Sequence, residues 1–241
     1  MGKVLAAELS KWRGTRFFWV TVAGALAAPA LASLFALSYR TSPEHFLGQV
    51  LVWYTLLTGP LTVTLIGAQM VAMEYQCDTW KVLLSTPVPR SGIYLAKLLL
   101  GVAWVQGLTL LVLVAGWALS PLVAQGEPPD LKTWTAAFAT AGLGLSGMLP
   151  VYHLTGLLSR SFFVPSGLGI VATFAGLMAL QSRYAGLYPV SATVILTQLA
   201  TGQSPPGDLL AGPGAWAAAV AMPAVLGAAL SLGYLYRGEI R

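Results

Sequence analysis

Charge is what this sequence has least of. Among 241 residues only 8 are Asp or Glu and 13 are Lys or Arg. Charged residues make up 9% of the chain, against roughly 25% in a typical soluble domain, while hydrophobic residues reach 56%. A soluble globular enzyme of this size could not cover its surface with so few charges, and a disordered chain would be far more polar. Cysteine is nearly absent too. Cys77 stands alone, which excludes an internal disulfide and any cysteine-cluster metal site. The two histidines, His45 and His153, lie far apart in sequence and do not suggest a metal centre. No G-x-x-x-x-G-K-[ST] loop occurs, so this chain does not cradle ATP by that device. Gly142, Gly144 and Gly147 spell G-x-G-x-x-G, but inside an apolar run and after no strand, where the dinucleotide mechanism has no footing. The net charge is +5, yet the basic residues flank apolar runs and form no basic groove. A nucleic-acid partner is therefore excluded.

What the chain does have is length without charge. Seven stretches carry none: 17–39, 46–73, 98–126, 133–159, 161–182, 184–207 and 209–236. A bilayer core about 30 Å thick needs roughly 20 apolar residues per spanning helix, and a central charge costs about 2.5–3.5 kcal/mol. Six stretches contain a dense apolar run of that length. The stretch 184–207 does not, because Ser191, Thr193, Thr197 and Gln198 interrupt it and Gly202 to Gly207 end it. The distribution of basic residues agrees with six spans and both termini in the cytoplasm. Lys3, Lys11, Arg13, Arg16, Lys81, Arg90, Lys97, Arg160, Arg237 and Arg241 then face inward, and only Arg40, Lys132 and Arg183 face outward. The expectation is an all-α polytopic protein of the cell membrane, a single transmembrane domain over 1–241. Its spans are expected near 17–39, 49–73, 93–119, 134–158, 162–182 and 212–236, with an outer re-entrant segment at 184–208. Aromatic residues such as Phe17, Trp19, Trp53, Trp117, Trp134 and Tyr236 fall near the expected interfaces; Trp104 and Gln106 lie deeper. The first run imitates a secretory signal with Ala30-Leu31-Ala32, but it is long for one, and its removal would spoil the charge asymmetry.

Two cytoplasmic segments carry more than topology requires. Residues 1–16 place Leu5, Leu9 and Trp12 on one helical face, with Lys3, Ser10 and Lys11 opposite. This suits an interfacial helix on the inner leaflet, and equally an ordinary basic tail that orients the first span; the two readings are compatible. The loop at 74–91 is the more informative. Asp78 is a good helix N-cap, Thr79 to Ser85 allow about two turns, and Pro87 and Pro89 stop them. The result is a short stiff helix carrying Trp80 and Lys81, suited to docking on another protein; a packed structural turn is the plainer alternative. Ser159-Arg160-Ser161 offers a second, smaller inner contact, or simply a basic anchor.

Three groups of residues carry a family likeness: Glu8-x-x-Lys11-Trp12, then Glu74-(x)4-Thr79-Trp80-Lys81-(x)2-Leu84-(x)2-Pro87-(x)2-Arg90, then Tyr94-x-x-Lys97. With them the chain resembles the permease subunits of type-2 ATP-binding-cassette (ABC) transporters, including bacterial antibiotic, lantibiotic-immunity and ion-export systems. The resemblance implies that the N-terminal helix, with Leu5, Glu8, Leu9, Lys11 and Trp12, lies along the membrane surface. It implies that the loop after span two is the coupling helix. Glu74, Asp78, Thr79, Trp80, Lys81 and Arg90 are then coupling residues, with Arg160 at a second contact. Two copies of a cytosolic ATPase would use ATP and Mg, and a second permease copy or a sister permease would complete the complex. This chain itself would be no enzyme.

No Asp, Glu, Lys or Arg is expected well inside a span, so a proton-coupled carrier and an intramembrane enzyme lack their usual groups. His153 is the one ionisable side chain expected within a span. Gln69, Gln106 and His153 are candidate pathway residues, with weakly polar neighbours such as Thr62, Thr64, Thr109 and Ser146. Such walls suit an amphiphilic cargo better than a small ion. The expected function is a permease, an exporter by family analogy, driven through alternating access. The alternative is a non-transporting scaffold or immunity protein that binds its target directly.

Overall fold

The structure is a computed structural model that describes residues 9, 12, 15–38, 41–76, 90–127, 129–204 and 209–236. It is built of helices: α1 (Arg16–Ser38), α2 (Pro43–Trp53), α3 (Gly59–Gln76), α4 (Arg90–Val123), α5 (Leu131–Ser159), α6 (Phe163–Ala179), α7 (Pro189–Ala200) and α8 (Pro213–Tyr236). One isolated parallel bridge, Thr41 to Ala124, is the only β pairing among the described residues. Five helical stretches are long and apolar enough to cross a membrane: Arg16–Leu37, Pro43–Tyr75, Ser91–Val123, Leu131–Ser159 and Pro213–Tyr236. Helices α6 and α7 are apolar but shorter.

The helix ends follow from ordinary chemistry. Ser42 caps α2 by accepting the His45 amide, with Pro43 pre-set for the first helical position. Asp130 caps α5 by accepting the Lys132 and Thr133 amides at 3.3 and 3.0 Å. At its other end α5 stops at Arg160, held in the left-handed region at φ 53°. Helices α2 and α3 form one rod with a π-helical turn at Tyr54–Thr58. The turn is explained by Pro60, which has no amide to give and whose ring would crowd the carbonyl one turn back. The wide turn is closed by the Gly59 amide bonding the Tyr54 carbonyl. Gly59 is required there, since a Cβ would stand 2.5 Å from that same oxygen.

Packing places α5 at the centre, in contact with α3, α4, α6, α7 and α8. Close approach depends on small residues, as between membrane helices generally. Ala25, Ala28, Ala32 and Ala36 form the buried stripe of α1. Gly67 of α3 touches α5 where a Cβ would meet the Tyr152 Cβ at 2.6 Å. Large apolar side chains point outward instead: Trp19, Leu110, Leu143, Phe163, Val171 and Val225 are all more than half exposed, as a lipid-facing surface should be.

The helix bounds differ in detail from the expected spans. The second apolar rod begins at Pro43 and the third helix runs from Arg90 to Val123, so both are longer than the stretches 49–73 and 93–119. Trp104, which fitted no interfacial belt, is explained by partners on α1. Its indole donates to Thr21 Oγ1 at 3.1 Å, and its ring lies 4.6 Å from that of Phe18. The outer segment contains, where described, a 3-10 turn at Ala185–Leu187 and then α7, which buries Val190, Ala192, Val194 and Ile195.

Candidate functional site

The end of α3 and the start of α4 bracket the loop that the sequence marks for docking. Asp78, Thr79, Trp80 and Lys81 lie outside the described residues; Arg90 is the first residue of α4. Just inside this boundary, two charges are buried near the helix ends. Glu74 sits about half a turn before the end of α3, and Lys97 sits about two turns into α4. Lys97 Nζ donates to Glu74 Oε1 at 2.6 Å, with side chains only 3% and 1% exposed respectively. Burying two charges is unfavourable unless they meet in good geometry, which is why they are found together. The flanking position had suggested a Lys97 that merely faces the cytoplasm and a Glu74 available to a partner. Their opposite signs, one on each side of a short loop, were the signal that they could pair.

Two further side chains complete the cluster. His153 of α5 is 1% exposed, and neither ring nitrogen has a hydrogen-bond partner among the described residues. The Tyr94 ring of α4 meets the imidazole edge-on, with centroids 5.1 Å apart. Around them Val71, Leu157 and Leu235 form a small apolar core, backed by Tyr75, Leu98, Leu232 and Tyr234. Four helices, α3, α4, α5 and α8, therefore converge on one charged pair in an apolar shell. A water-excluded pair of this kind fixes the relative position of its two helices more strictly than apolar packing does, because its energy depends steeply on geometry.

Arg160, expected at a second contact, falls at the same end. Arg160 caps α5 and, with Tyr234, lies beside Tyr75 of α3. The Tyr75 hydroxyl donates to the Leu157 carbonyl at 3.4 Å. Of the N-terminal segment, Leu9 and Trp12 are helical, Leu9 exposed and Trp12 half-buried; Leu5, Glu8 and Lys11 lie outside the described residues. The Trp12 ring stands 6.3 Å from both Phe17 and Trp104 in edge contacts, which ties the tail to α1 and α4.

The candidate pathway residues do not gather in one place. Gln106 of α4 donates to Ser146 Oγ of α5 at 3.1 Å, and Gly142 lies flat against its amide. Gln69 is half-buried on α3. His153 belongs to the charged cluster instead. Most of the threonines in the spans are spoken for by their own helices: Thr55 bonds the Leu51 carbonyl at 2.7 Å, Thr62 that of Thr58 at 2.6 Å and Thr64 that of Pro60 at 2.8 Å. Tyr54 takes the remaining capacity of Thr109 through a 2.8 Å hydroxyl pair. Among the described residues, no three His, Cys, Asp or Glu side chains gather as a metal site would require.

The helical architecture agrees with what comparison shows. Residues 4–176 match the family described as ABC-2 family transporter protein. No curated protein matches the chain at a significant level. The matched region spans most of the chain, from the tail through α6. The chain therefore belongs to the ABC-2 family of transporter proteins, as a multi-pass membrane permease subunit whose ATPase is a separate chain.

Proposed function

We propose that this permease exports its cargo through an alternating-access cycle driven by two copies of a cytosolic ATPase, with a second permease copy or a sister permease completing the complex. ATP and Mg belong to the ATPase. The carrying observation is the Glu74–Lys97 pair, which fastens together the two helix ends that flank residues 77–89. A loop held at both ends by a buried pair passes a push into α3 and α4 as a rigid displacement. A loop on slack ends would absorb it.

In this reading Trp80, with Asp78, Thr79, Lys81 and Arg90, meets the ATPase, and Arg160 supplies the second contact. Glu74 acts one step back, by anchoring the loop through Lys97. The long helices, the shorter α6 as the fifth crossing and α7 as an outer segment give six spans. Both termini, Leu5 to Trp12 included, then lie on the cytoplasmic side. The basic residues at the loop end support that orientation.

The test is purification of the tagged chain from its native membrane. Recovery of an ATP-hydrolysing partner, lost in Trp80→Ala while expression and insertion persist, is the expected result. Cysteine accessibility mapping that places residue 80 outside the cell would overturn the reading.

A further inference from the structure

The end of the bundle opposite Glu74 is open. Two adjoining cavities lie there, of about 420 and 470 Å³, and they share His45, Thr201 and Gln203 in their walls. The first reaches along α2, with Phe35, Leu51, Val52 and Trp53 as its apolar side. Phe35 and Trp53 stack there with centroids 5.7 Å apart and planes 16° from parallel. The second carries Glu44 and Asp130 and, among the described residues, no Lys or Arg. From Glu44 to Trp53 the helix climbs about 13 Å, so the acidic mouth and the aromatic floor are separated by roughly the length of a short amphiphile.

The electrostatics favour one sign of ligand. The starts of α2 and α5 both lie at the mouth, and each helix end contributes about half a positive charge. Their first amides are already taken, however, by Ser42 and by Asp130. Two full carboxylate charges outweigh two such ends. Lys132, a neighbouring cation, does not line the cavity. Gln49 adds an amide oxygen that is buried and has no hydrogen-bond partner among the described residues. A cation with N–H donors suits this acceptor-rich mouth, and a flat aromatic pair suits an apolar body below it.

We propose that this double cavity is a binding site for cationic amphiphiles, molecules with an ammonium or guanidinium head on an apolar body. The site deepens the transport reading, because it names the chemical class of ligand received at the outer face, and its outer position rests on that reading. The head sits between Glu44 and Asp130, and the body lies along Val52, Phe35 and Trp53.

The full chain in nanodiscs of neutral lipid is titrated calorimetrically with octylguanidinium, octanoate and 1-octanol, each against empty discs. Octylguanidinium is expected to bind above the empty-disc background at least tenfold more tightly than octanoate. Glu44→Gln, at an exposed residue whose loss does not threaten folding, should weaken it about threefold to fivefold. Val52→Trp, which fills the apolar lobe, should weaken octylguanidinium and 1-octanol alike. Equal binding of all three probes, tighter binding of octanoate, or indifference of octylguanidinium to both substitutions overturns the site. Binding is read without any ATPase, so its failure leaves the partner assignment standing. A chain that binds octylguanidinium but captures no ATPase sinks only the transport reading.

Discussion

The two ends of the helical bundle solve opposite problems. At the loop end the polar groups are sealed in: Glu74, Lys97 and His153 are each less than 5% exposed, and an apolar shell closes over them. At the far end the polar groups stay wet: Ser42, Glu44, His45 and Asp130 are exposed around an open double cavity. Sealed charge depends steeply on geometry and so transmits position. Wet charge is screened and adjustable, which suits a mouth that meets ligands of varied shape. Under the proposed cycle, one end would be pushed and the other loaded or emptied.

The sharpest way to break this contrast is to unseal the loop end. Glu74→Ala or Lys97→Ala removes the 2.6 Å ion-pair contact of a buried charge, and each should destabilise the fold by about 3 kcal/mol. Replacing both, as Glu74→Leu with Lys97→Met, should cost less, because neither charge then has to be kept out of water. Thermal unfolding of the three variants in detergent checks this, and the double variant separates stability from coupling. It should fold well yet show weaker stimulation of its ATPase. Single and double variants of equal stability would show that the pair is not a sealed one.

Next in size is the packing that holds the two ends in register. Gly67→Val on α3 would drive its side chain into Tyr152 of the central helix, where a Cβ already stands too close. Overpacking of this kind costs about 1–3 kcal/mol, read as a lower melting temperature. Smaller again is Tyr54→Phe at the π-helical turn, midway between the ends. It removes a buried hydroxyl pair with Thr109, while Thr109 keeps its bond to the Val105 carbonyl at 2.8 Å. The expected loss is about 1 kcal/mol, in the same melting assay.

How much of this was legible in the sequence differs between the two ends. The charge-free runs expected at 17–39, 134–158 and 212–236 fall on the helices α1, α5 and α8, because a long apolar run favours helix without any tertiary information. The loop end was legible as a place but not as a mechanism. Glu74 and Lys97 could be seen to flank the loop, but a salt bridge is a relation between two helices, and one chain read in order gives only their signs. Trp104 was anomalous for the same reason: its depth is explained by Thr21 and Phe18 on another helix. The double cavity was not legible at all. Glu44, Asp130, Trp53 and Thr201 come from distant stretches, and each is unremarkable alone. The π-helical turn was not anticipated either, although Pro60 and its missing amide explain it.

The last and smallest expected effect belongs to the wet end and concerns pH. Asp130 accepts from the Thr133 hydroxyl at 2.6 Å and from two backbone amides, and these bonds, the hydroxyl first, hold its carboxyl below the usual carboxylate range. A carboxyl depressed in the fold binds fewer protons than in the unfolded chain. Its contribution is therefore complete above about pH 4, the ordinary value, and is lost as the pH falls through the lower folded-state value. The first turn of α5 should then fray first, because three donors lose their charged acceptor together. Hydrogen exchange at Thr133 and Trp134, compared between pH 6 and pH 3 at matched intrinsic rates, should show the loss of protection there. Asp130→Asn keeps a good capping residue without a titrating proton, so its first turn should be indifferent to pH. A native protein whose α5 start is equally protected at both values would mean that the cap is held by geometry alone. The carboxylate at the mouth would then owe its place to ligand binding rather than to the fold.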